Sequence, residues 1–333
     1  MDEILNINSA EDIPPEWDQL ALEYFQTREF LIHCEKNNPC SQSYYVLKRE
    51  GVLVAGAVVY TLAPDLFTYL KIKSPVKMRI CGIPCSVSAS GLLGRCAMEL
   101  LPVIFEQEKG LKLFLNLEHR PQSGQATGHT LPTIVVPTPF KAVAEYEGAM
   151  RYEYRRRYRK SRTLFKNVKT EVTGCEAFGE AEHRLYLNVL NRSRGKLETL
   201  SCQFFAELPP VFRLTRFYGE GKLLGWHITV LYRRTMYFFL GGIEYSLNNE
   251  YETYFNILYD IIEKGIEGGA EYVDLGQTAE IPKLRTGGSI VDKYMLAQHS
   301  SRVFSTVIKL AGGILEYRYR FPRNRVFKEE ADV

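Results

Sequence analysis

The sequence lacks the features that mark several common classes of protein. Its start, MDEILNINSAEDIPPEW, has no basic segment followed by an apolar one, which argues against a secretory signal peptide. The longest apolar run, from Val52 to Pro64, is shorter than the roughly 20 residues that a membrane-spanning helix needs. We therefore expect no transmembrane segment and a cytoplasmic location.

Cysteine is scarce and irregularly placed. The seven cysteines form no Cys-x-x-Cys pair, and no histidine stands near them at a spacing typical of zinc ligands. An odd number of cysteines without such a pattern indicates neither a disulfide framework nor a metal site. We expect reduced thiols and no metal, in keeping with a reducing compartment.

Charge is nearly balanced over the chain as a whole. The 42 Lys and Arg residues exceed the 39 Asp and Glu residues by only three, and 45% of the 333 residues are hydrophobic. This composition is typical of a soluble globular protein, and the length favours two domains of about 150 residues each.

What the sequence does contain is the same order of predicted elements twice. From Tyr44 and again from Phe212, two apolar strands flank a charged turn that contains Glu-Gly, which predicts a β-hairpin. Each hairpin is followed by a further strand, a segment of helical character and a buried strand. In the first copy these segments are 76–88, 96–110 and 111–119, and in the second they are 235–245, 251–269 and 270–277.

The repeated β-β-β-α-β order predicts a mixed α/β fold (an α+β arrangement of mixed sheets) in two halves, with helices on the faces of the sheets. The predicted divisions are an N-terminal domain, a basic linking helix, and a C-terminal domain that ends in a basic helix or tail. Their ranges are 1–145, 146–168 and 169–333.

The linking segment is strongly basic. Residues 152–167, YEYRRRYRKSRTLFKN, contain seven Lys and Arg residues and one Glu. A helix here places Met150, Tyr154, Tyr158 and Phe165 on one face and cations on another, which predicts a folded helix packed against a domain. The cations are interpreted mainly as a solvated face, with an anionic ligand or a nucleic acid as the alternatives.

The repeated layout resembles the acyl-CoA N-acyltransferase (GNAT) superfamily, in which a meander of antiparallel strands leads into a helix and then into a strand that splays from its neighbour. The tandem form with a basic helix between halves is similar to the FemAB-like branch and to its BioF2-like or CelD-like acetyltransferase domains. The resemblance covers most of 150–300, and the N-terminal half only by architecture. Its local mark is an acidic residue, a glycine and then Lys-x-Arg-x-Gly, which here are Asp274, Gly276, Lys283, Arg285 and Gly287.

The resemblance implies direct acyl transfer from acyl-CoA, without a covalent enzyme intermediate. Simple acetyltransferases carry a pyrophosphate loop, Arg/Gln-x-x-Gly-x-Gly/Ala, before the central helix, and neither half has it. The corresponding segments read SASGLLGRC in the N-terminal half and SLNNEYET in the C-terminal half.

Candidate catalytic residues stand where predicted strands end. A carboxylate can accept the proton of the amine, and a tyrosine can protonate the leaving thiolate. These candidates are Glu244, Tyr245 and Asp274. We expect a partly buried Glu244 to have a raised pKa.

Candidate substrate-binding residues are mainly groups that can hold a carboxylate or a phosphate, or that line the same region. They are Lys283, Arg285, Gln277, His227 and Glu118. Structural interpretations stay open beside these roles: an ordinary exposed loop for the two cations, and a satisfied core histidine for His227.

A candidate cofactor-binding segment precedes the predicted helix of the N-terminal half. Backbone N–H groups at a helix N-terminus, together with an arginine, can hold a phosphate. The residues are Ser90, Gly91, Gly94 and Arg95. A helix cap formed by Ser90 explains the same letters.

The tail, 301–328, combines an apolar stripe with seven basic residues and one Glu. It is expected to form a terminal helix docked on the core, and the alternative is peripheral contact with an anionic membrane surface or a lipid-linked substrate.

These observations predict an N-acyltransferase or aminoacyltransferase that acts on the amine of an amino-sugar, peptide or amino-acid-like acceptor, such as a cell-envelope precursor. The alternatives are a non-catalytic ligand-binding protein with a GNAT-like fold, and a tRNA-dependent aminoacyltransferase of the FemAB type.

Overall fold

A computed structural model shows the chain as two compact units. The residues that the structure describes are 2–62, 77–85, 87–122, 124–193, 198–322 and 324–329. The first unit comprises the described residues of 1–132, 194–200 and 292–319, and the second comprises those of 133–193, 201–291 and 320–333.

The first unit is built on one mixed sheet. Its strands are β1 (Asp2–Ile7), β2 (Ser43–Arg49), β3 (Val52–Leu62), β4 (Met78–Cys81), β5 (Leu92–Leu93), β6 (Leu111–Leu117), β7 (Ala126–His129) and β15 (Tyr294–His299). Its α-helices are α1 (Trp17–Leu20), α2 (Arg28–Asn37), α3 (Leu101–Gln107) and α11 (Arg302–Leu315). The strand order is β1-β2-β3-β4-β6-β15-β7, and β5 pairs with β3.

The second unit contains a second mixed sheet. Its strands are β8 (Thr133–Pro137), β9 (Lys169–Thr173), β10 (Arg213–Gly219), β11 (Lys222–Tyr232), β12 (Thr235–Ile243), β13 (Tyr272–Asp274) and β14 (Ser289–Val291). Its α-helices are α4 (Val143–Ala149), α5 (Tyr152–Leu164), α6 (Glu180–Arg192), α7 (Cys202–Ala206), α8 (Tyr245–Tyr251), α9 (Thr253–Glu267) and α10 (Glu280–Leu284). The strand order is β14-β8-β13-β12-β11-β10-β9.

Both predicted hairpins are present, and they share one register. The turns, Glu50-Gly51 and Glu220-Gly221, have positive φ at both residues, as a two-residue hairpin turn requires. Each hairpin also has a β-bulge at the same distance from its turn. In both units the third strand runs parallel to the strand that follows the helix, because the helix carries the chain back across the sheet. The repeated β-β-β-α-β order and the mixed α/β class are confirmed.

Two elements of the first copy differ from the sequence expectation. The strand expected over 76–88 is formed only by Met78–Cys81; residues 76 and 86 lie outside the described residues. The helix expected over 96–110 begins with a 3-10 turn at Ala97–Leu100 and becomes α-helical at Leu101, next to Pro102, which suits a first helical turn.

Two strands enter the sheets out of chain order. β15 lies between β6 and β7 in the first unit, and β8 lies between β13 and β14 in the second. The repeat in the sequence does not predict this exchange, because it concerns strands outside the repeated series. The domains 1–145, 146–168 and 169–333 remain a prediction about independently folding parts of the chain.

The basic helix packs as its aromatic pattern predicts. Met150, Tyr158 and Phe165 are buried in the core of the second unit, and Tyr154 is partly buried against it. The ring of Tyr158 meets that of Tyr259 edge to face, with centroids 4.9 Å apart. Three cations of the helix form ion pairs: Arg159 with Glu147, Lys160 with Glu252, and Arg162 with Glu263.

Candidate active site

β12 separates from β13 in the second unit. β13 pairs in parallel with only Thr235, Met236 and Tyr237, whereas β12 continues to Ile243. On its other side β12 pairs with β11 along its length. Within the described chain, residues 238–243 therefore have strand pairing on the β11 side alone. A strand edge of this kind presents backbone N–H and C=O groups that an extended ligand can pair with.

A tightly held loop follows β13 at the point of separation. Oδ1 of Asp274 accepts hydrogen bonds from Oγ1 of Thr133 (2.6 Å) and from the backbone N–H of Gly276 (2.7 Å). Thr278 and Ala279 have φ of 62° and 48°, a left-handed conformation that is costly for a β-branched residue such as threonine. Strained backbone of this kind persists only where its surroundings hold it, and it is frequent at functional sites.

Lys283 holds the same loop through its backbone. The side chain is only 2% exposed, and Nζ donates to the carbonyl oxygens of Gly276 (3.0 Å) and Gln277 (2.7 Å). Burial lowers the pKa of Lys283 to about 7, although the charges of Asp274 and Glu280 act in the opposite direction. Lys283 was predicted to hold a carboxylate or a phosphate of a ligand, with an ordinary exposed loop as the structural alternative. Its buried amine instead positions the loop at the end of β13.

The arginine and the glycine of the Lys-x-Arg-x-Gly segment have different surroundings. Arg285 is half-buried, and its guanidinium forms no hydrogen bond or ion pair with the described residues. Gly287 has φ of 103°, and a Cβ there would collide with the ring of Phe327. The segment thus combines a buried lysine, an arginine available to an anion, and a glycine that close packing requires.

Glu244 and Tyr245 lie at the far end of the separated part of β12. Glu244 is seven residues beyond Tyr237, the last residue of β12 that pairs with β13, which is roughly 23 Å of extended strand. The structure therefore does not bring Glu244 and Asp274 together.

The expectation of a raised pKa for Glu244 is wrong. Oε1 of Glu244 accepts hydrogen bonds from Oγ (2.8 Å) and the backbone N–H (3.2 Å) of Ser246. These bonds lower the pKa of Glu244, because they stabilise the charged form more than its slight burial disfavours it. The residue is the N-cap of α8.

The sequence analysis missed Arg192, which lies beside Tyr245. Its guanidinium carbon is 3.9 Å from the centroid of the Tyr245 ring, in cation–π contact. Tyr254 is also near Tyr245. Burial raises the pKa of Tyr254, and the charges of Tyr245 and Glu280 raise it further. Arg192 belongs to α6, which precedes the whole meander, so only the folded chain brings it to α8. No motif in the sequence marks it.

His227 is a core residue. It is fully buried on β11, and Nε2 lies 2.7 Å from Oδ2 of Asp260, which also accepts a hydrogen bond from Lys264. Burial lowers the pKa of His227. This environment matches the structural interpretation of the residue and gives it no access to a ligand in solution.

The candidate phosphate segment of the first unit is tightly packed. A Cβ at Gly91 would collide with the backbone of Gly82, and one at Gly94, where φ is 82°, would collide with the carbonyl oxygen of Val54. Oγ of Ser90 accepts a hydrogen bond from the N–H of Leu92 (3.1 Å). The segment leads into the 3-10 turn at Ala97–Leu100, the α-helix begins only at Leu101, and close backbone packing explains both glycines.

Two candidates of the first unit are exposed. Arg95 follows Gly94 on the surface, and Glu118 directly follows β6. Neither has a hydrogen bond or an ion pair with its side chain among the described residues. No group of three or more His, Cys, Asp or Glu side chains in the described ranges is placed to hold a metal ion.

Comparison with known proteins finds a family match over part of the chain. Residues 148–283, which include β12, β13 and Lys283, match the family Acetyltransf_6, an acetyltransferase (GNAT) domain. No curated protein matches the sequence. The match is confined to this segment, and it agrees with the GNAT resemblance found in the sequence.

Solved structures share the fold at low identity. A tandem GNAT protein from the clavulanic acid biosynthesis pathway is 8% identical with a TM-score of 0.52, and the alignment covers 90% of this chain and 99% of that one. A conserved protein of unknown function from Bacteroides thetaiotaomicron is 10% identical with a TM-score of 0.50, over 81% and 89%. FemX is 10% identical with a TM-score of 0.48, over 76% and 87%. The tandem GNAT-like architecture is confirmed.

Proposed function

We propose that this protein is an N-acyltransferase of the FemAB-like branch, with its active site where β12 separates from β13. The observation that carries the proposal is the separation itself. Within the segment that matches the GNAT family, residues 238–243 lack strand pairing on the β13 side in the described chain. The pantetheine arm of an acyl-CoA is extended and carries amide groups, so it suits pairing with such an edge.

The reaction is direct acyl transfer. The amine nitrogen attacks the carbonyl carbon of the thioester, a C–N bond forms, and the C–S bond breaks. The amine proton leaves to a base, and the thiolate takes up a proton. Asp274 is the carboxylate at the point of separation and is the proposed proton acceptor. Burial raises the pKa of Tyr245, which keeps its hydroxyl protonated. Tyr245 lies at the far end of the separated stretch, roughly 23 Å of strand or more from Asp274, so it does not act on the same thioester, and the thiolate takes its proton from solvent.

In this proposal Arg192 takes the place of the missing pyrophosphate loop, and Arg285 holds another anionic part of the donor or the acceptor. Arg192 lies against Tyr245 at the end of β12, and Arg285 follows the loop at the other end of the separated stretch. A guanidinium binds phosphate or carboxylate through paired hydrogen bonds. Gln277 lies in the tight loop that Asp274 and Lys283 fix, and in this proposal it binds the acceptor.

The proposed acceptor is the amine of an amino-sugar, peptide or amino-acid-like molecule, including cell-envelope precursors. A tRNA-borne donor is the alternative that the basic helix suggests. It is less favoured because Arg159, Lys160 and Arg162 already form ion pairs within the second unit. All seven cysteines are free thiols, and we propose that the protein acts in the cytoplasm.

Ligand binding followed by turnover tests the proposal. Acetyl-CoA, longer acyl-CoAs and aminoacyl-tRNA are compared by thermal shift and calorimetry, and thiol release is then measured with a panel of amines. We expect a CoA thioester to bind and its thiol to be released only when an amine is present. Binding of a thioester without release for any amine supports the non-catalytic alternative, and binding of aminoacyl-tRNA alone supports the tRNA-dependent one.

A further inference from the structure

α11 carries an apolar face that the first unit leaves uncovered. The exposed fractions are 71% for Val303, 59% for Phe304, 55% for Val307 and 83% for Leu310. Residues at i, i+4 and i+7 fall on one side of a helix, so Val303, Val307 and Leu310 form a stripe with Phe304 beside it. The helix lies against β7 and β15, and it therefore docks on the sheet while its large side chains point away from it.

The charges of α11 are all of one sign. Arg302 and Lys309 are exposed, and the helix sequence RVFSTVIKLAGGIL contains no acidic residue. At about 100° per residue these two cations lie on one side of the helix and border the apolar stripe. An apolar stripe beside a basic edge is typical of helices that lie in the interface of a membrane.

α11 is too short to cross a bilayer. Its 14 residues span about 21 Å, whereas the hydrocarbon core is about 30 Å thick. Among the described helices, none combines the length and the apolar character that a membrane span requires. In a bilayer, a helix of these dimensions can bury its apolar stripe only by lying parallel to the surface.

We infer that α11 binds the surface of an anionic lipid bilayer, with Val303, Phe304, Val307 and Leu310 inserted among the lipids and Arg302 and Lys309 at the headgroups. The single sign of the charge favours anionic lipid over a protein surface, which would offer both signs to a typical docking helix. Tyr317, shortly after the helix, adds a residue type that is enriched at such interfaces. The inference is independent of the proposed reaction.

A tryptophan reporter tests the insertion. The native tryptophans, Trp17 and Trp226, are both fully buried, so Leu310→Trp adds an indole in a new, exposed environment. With vesicles of phosphatidylglycerol and phosphatidylcholine in equal parts, we expect its emission to shift to shorter wavelength. Leu22→Trp is the matched control, because Leu22 is an exposed leucine of the same unit (57%) outside α11, and its emission should not shift.

Loss of binding is tested by cosedimentation with the same vesicles. The double variant Val307→Glu/Leu310→Glu should bind at least tenfold more weakly than the parent, since it places two charges in the inserted stripe. Leu22→Glu should bind as the parent does, and added salt should weaken the parent's binding.

Three results would overturn the inference. One is an equal affinity of the parent for pure phosphatidylcholine vesicles, because the cations would then play no part. Another is binding that the double glutamate variant retains. The third is a parent that fails to bind vesicles and forms a dimer that the glutamate variant abolishes by light scattering, which would show that a second copy covers the stripe.

Discussion

The two units share an element order but differ in what lies beyond their parallel strands. In the first unit β4 ends at Cys81, and the described residues of 82–91 are all buried. Nδ2 of Asn116, on β6, donates to the carbonyl oxygens of Val87 (2.8 Å) and Ala89 (3.5 Å). In the second unit β12 runs on to Ile243 with one edge outside the pairing with β13. The first unit fills the region beyond its parallel strands with its own chain, whereas in the second unit the proposed site lies beside residues 238–243.

Each unit also buries a lysine near its parallel strands. Nζ of Lys112, on β6, donates to the carbonyl oxygens of Glu108 (2.8 Å) and Gly110 (3.3 Å), where the chain passes from α3 to β6. Lys283 donates instead to the loop that follows β13. In both copies a buried amine holds a turn of the backbone through its carbonyl oxygens, and in the second copy this turn belongs to the proposed site.

The largest expected effect is on the stability of the second unit. Tyr158→Ala empties a large aromatic site in the core of the second unit and removes the hydrogen bond from its hydroxyl to Glu263 (2.7 Å). We expect the free energy of unfolding to fall by about 3 kcal/mol or more, measured by urea denaturation. The control is Arg159→Ala, which removes an exposed ion pair and should change stability by less than about 1 kcal/mol.

This prediction fails if Tyr158→Ala leaves stability unchanged while Arg159→Ala abolishes tRNA binding at physiological salt. The cations would then be the reason for α5. If α5 bound RNA through many phosphates, the logarithm of the binding constant would also fall with the logarithm of the salt concentration. The slope would be about −0.7 for each phosphate contact with a single strand.

The second prediction concerns activity and uses corresponding carboxylates of the two units. Asp274→Asn removes the charge that fixes the loop after β13 and is the proposed base, so kcat/KM should fall about 100-fold. Glu118→Gln, at the exposed position that follows β6, should leave kcat/KM within about twofold. Equal losses in the two variants would contradict the assignment of the site to the second unit.

Local pattern and turn chemistry account for what the sequence predicts well. The Glu-Gly turns, the helical spacing of Met150, Tyr158 and Phe165, and the glycine-bounded strand before Asp274 are encoded in neighbouring residues. The exchange of β8 and β15 between the sheets depends on pairing between segments that are distant in the chain. A repeat in the sequence does not reveal such pairing.

The candidate site is predicted less completely than the fold. The segment that contains Asp274, Lys283 and Arg285 is found by resemblance. The burial of Lys283, however, depends on the backbone carbonyl oxygens that its amine contacts in the folded loop. Glu244 caps a helix because its carboxylate accepts hydrogen bonds from Ser246. The sequence alone does not predict these bonds. Arg192 comes from a helix before the meander and meets Tyr245 only in the folded unit.

The third prediction tests Arg285, whose guanidinium has no hydrogen-bond or ion-pair partner among the described residues. Arg285→Ala should weaken binding of the acyl donor by about 1.5 kcal/mol, which is roughly tenfold, since a charge-assisted hydrogen bond is lost. The melting temperature should stay unchanged, because the guanidinium forms no hydrogen bond or ion pair with the described residues. Arg95→Ala in the first unit is the matched control, and calorimetry with the donor should show no change. Identical affinities for Arg285→Ala and the parent would make Arg285 an ordinary loop residue.

The smallest effect is a pH dependence of stability that distinguishes Lys283 from Lys112. Burial lowers the pKa of Lys283 to about 7 from its ordinary 10.5, so between these values the unfolded chain holds a proton that the folded chain does not. The stability of the parent relative to Lys283→Met should therefore rise with pH across this window, by at most about 1.4 kcal/mol per pH unit, and stay constant below it. Burial also lowers the pKa of Lys112, while the charge of Glu108 opposes the shift, so Lys112→Met should show a smaller slope. Urea denaturation at pH 6, 7, 8 and 9 measures both variants against the parent. A flat difference for Lys283→Met would show that its amine reaches solvent and does not hold the loop through a buried contact.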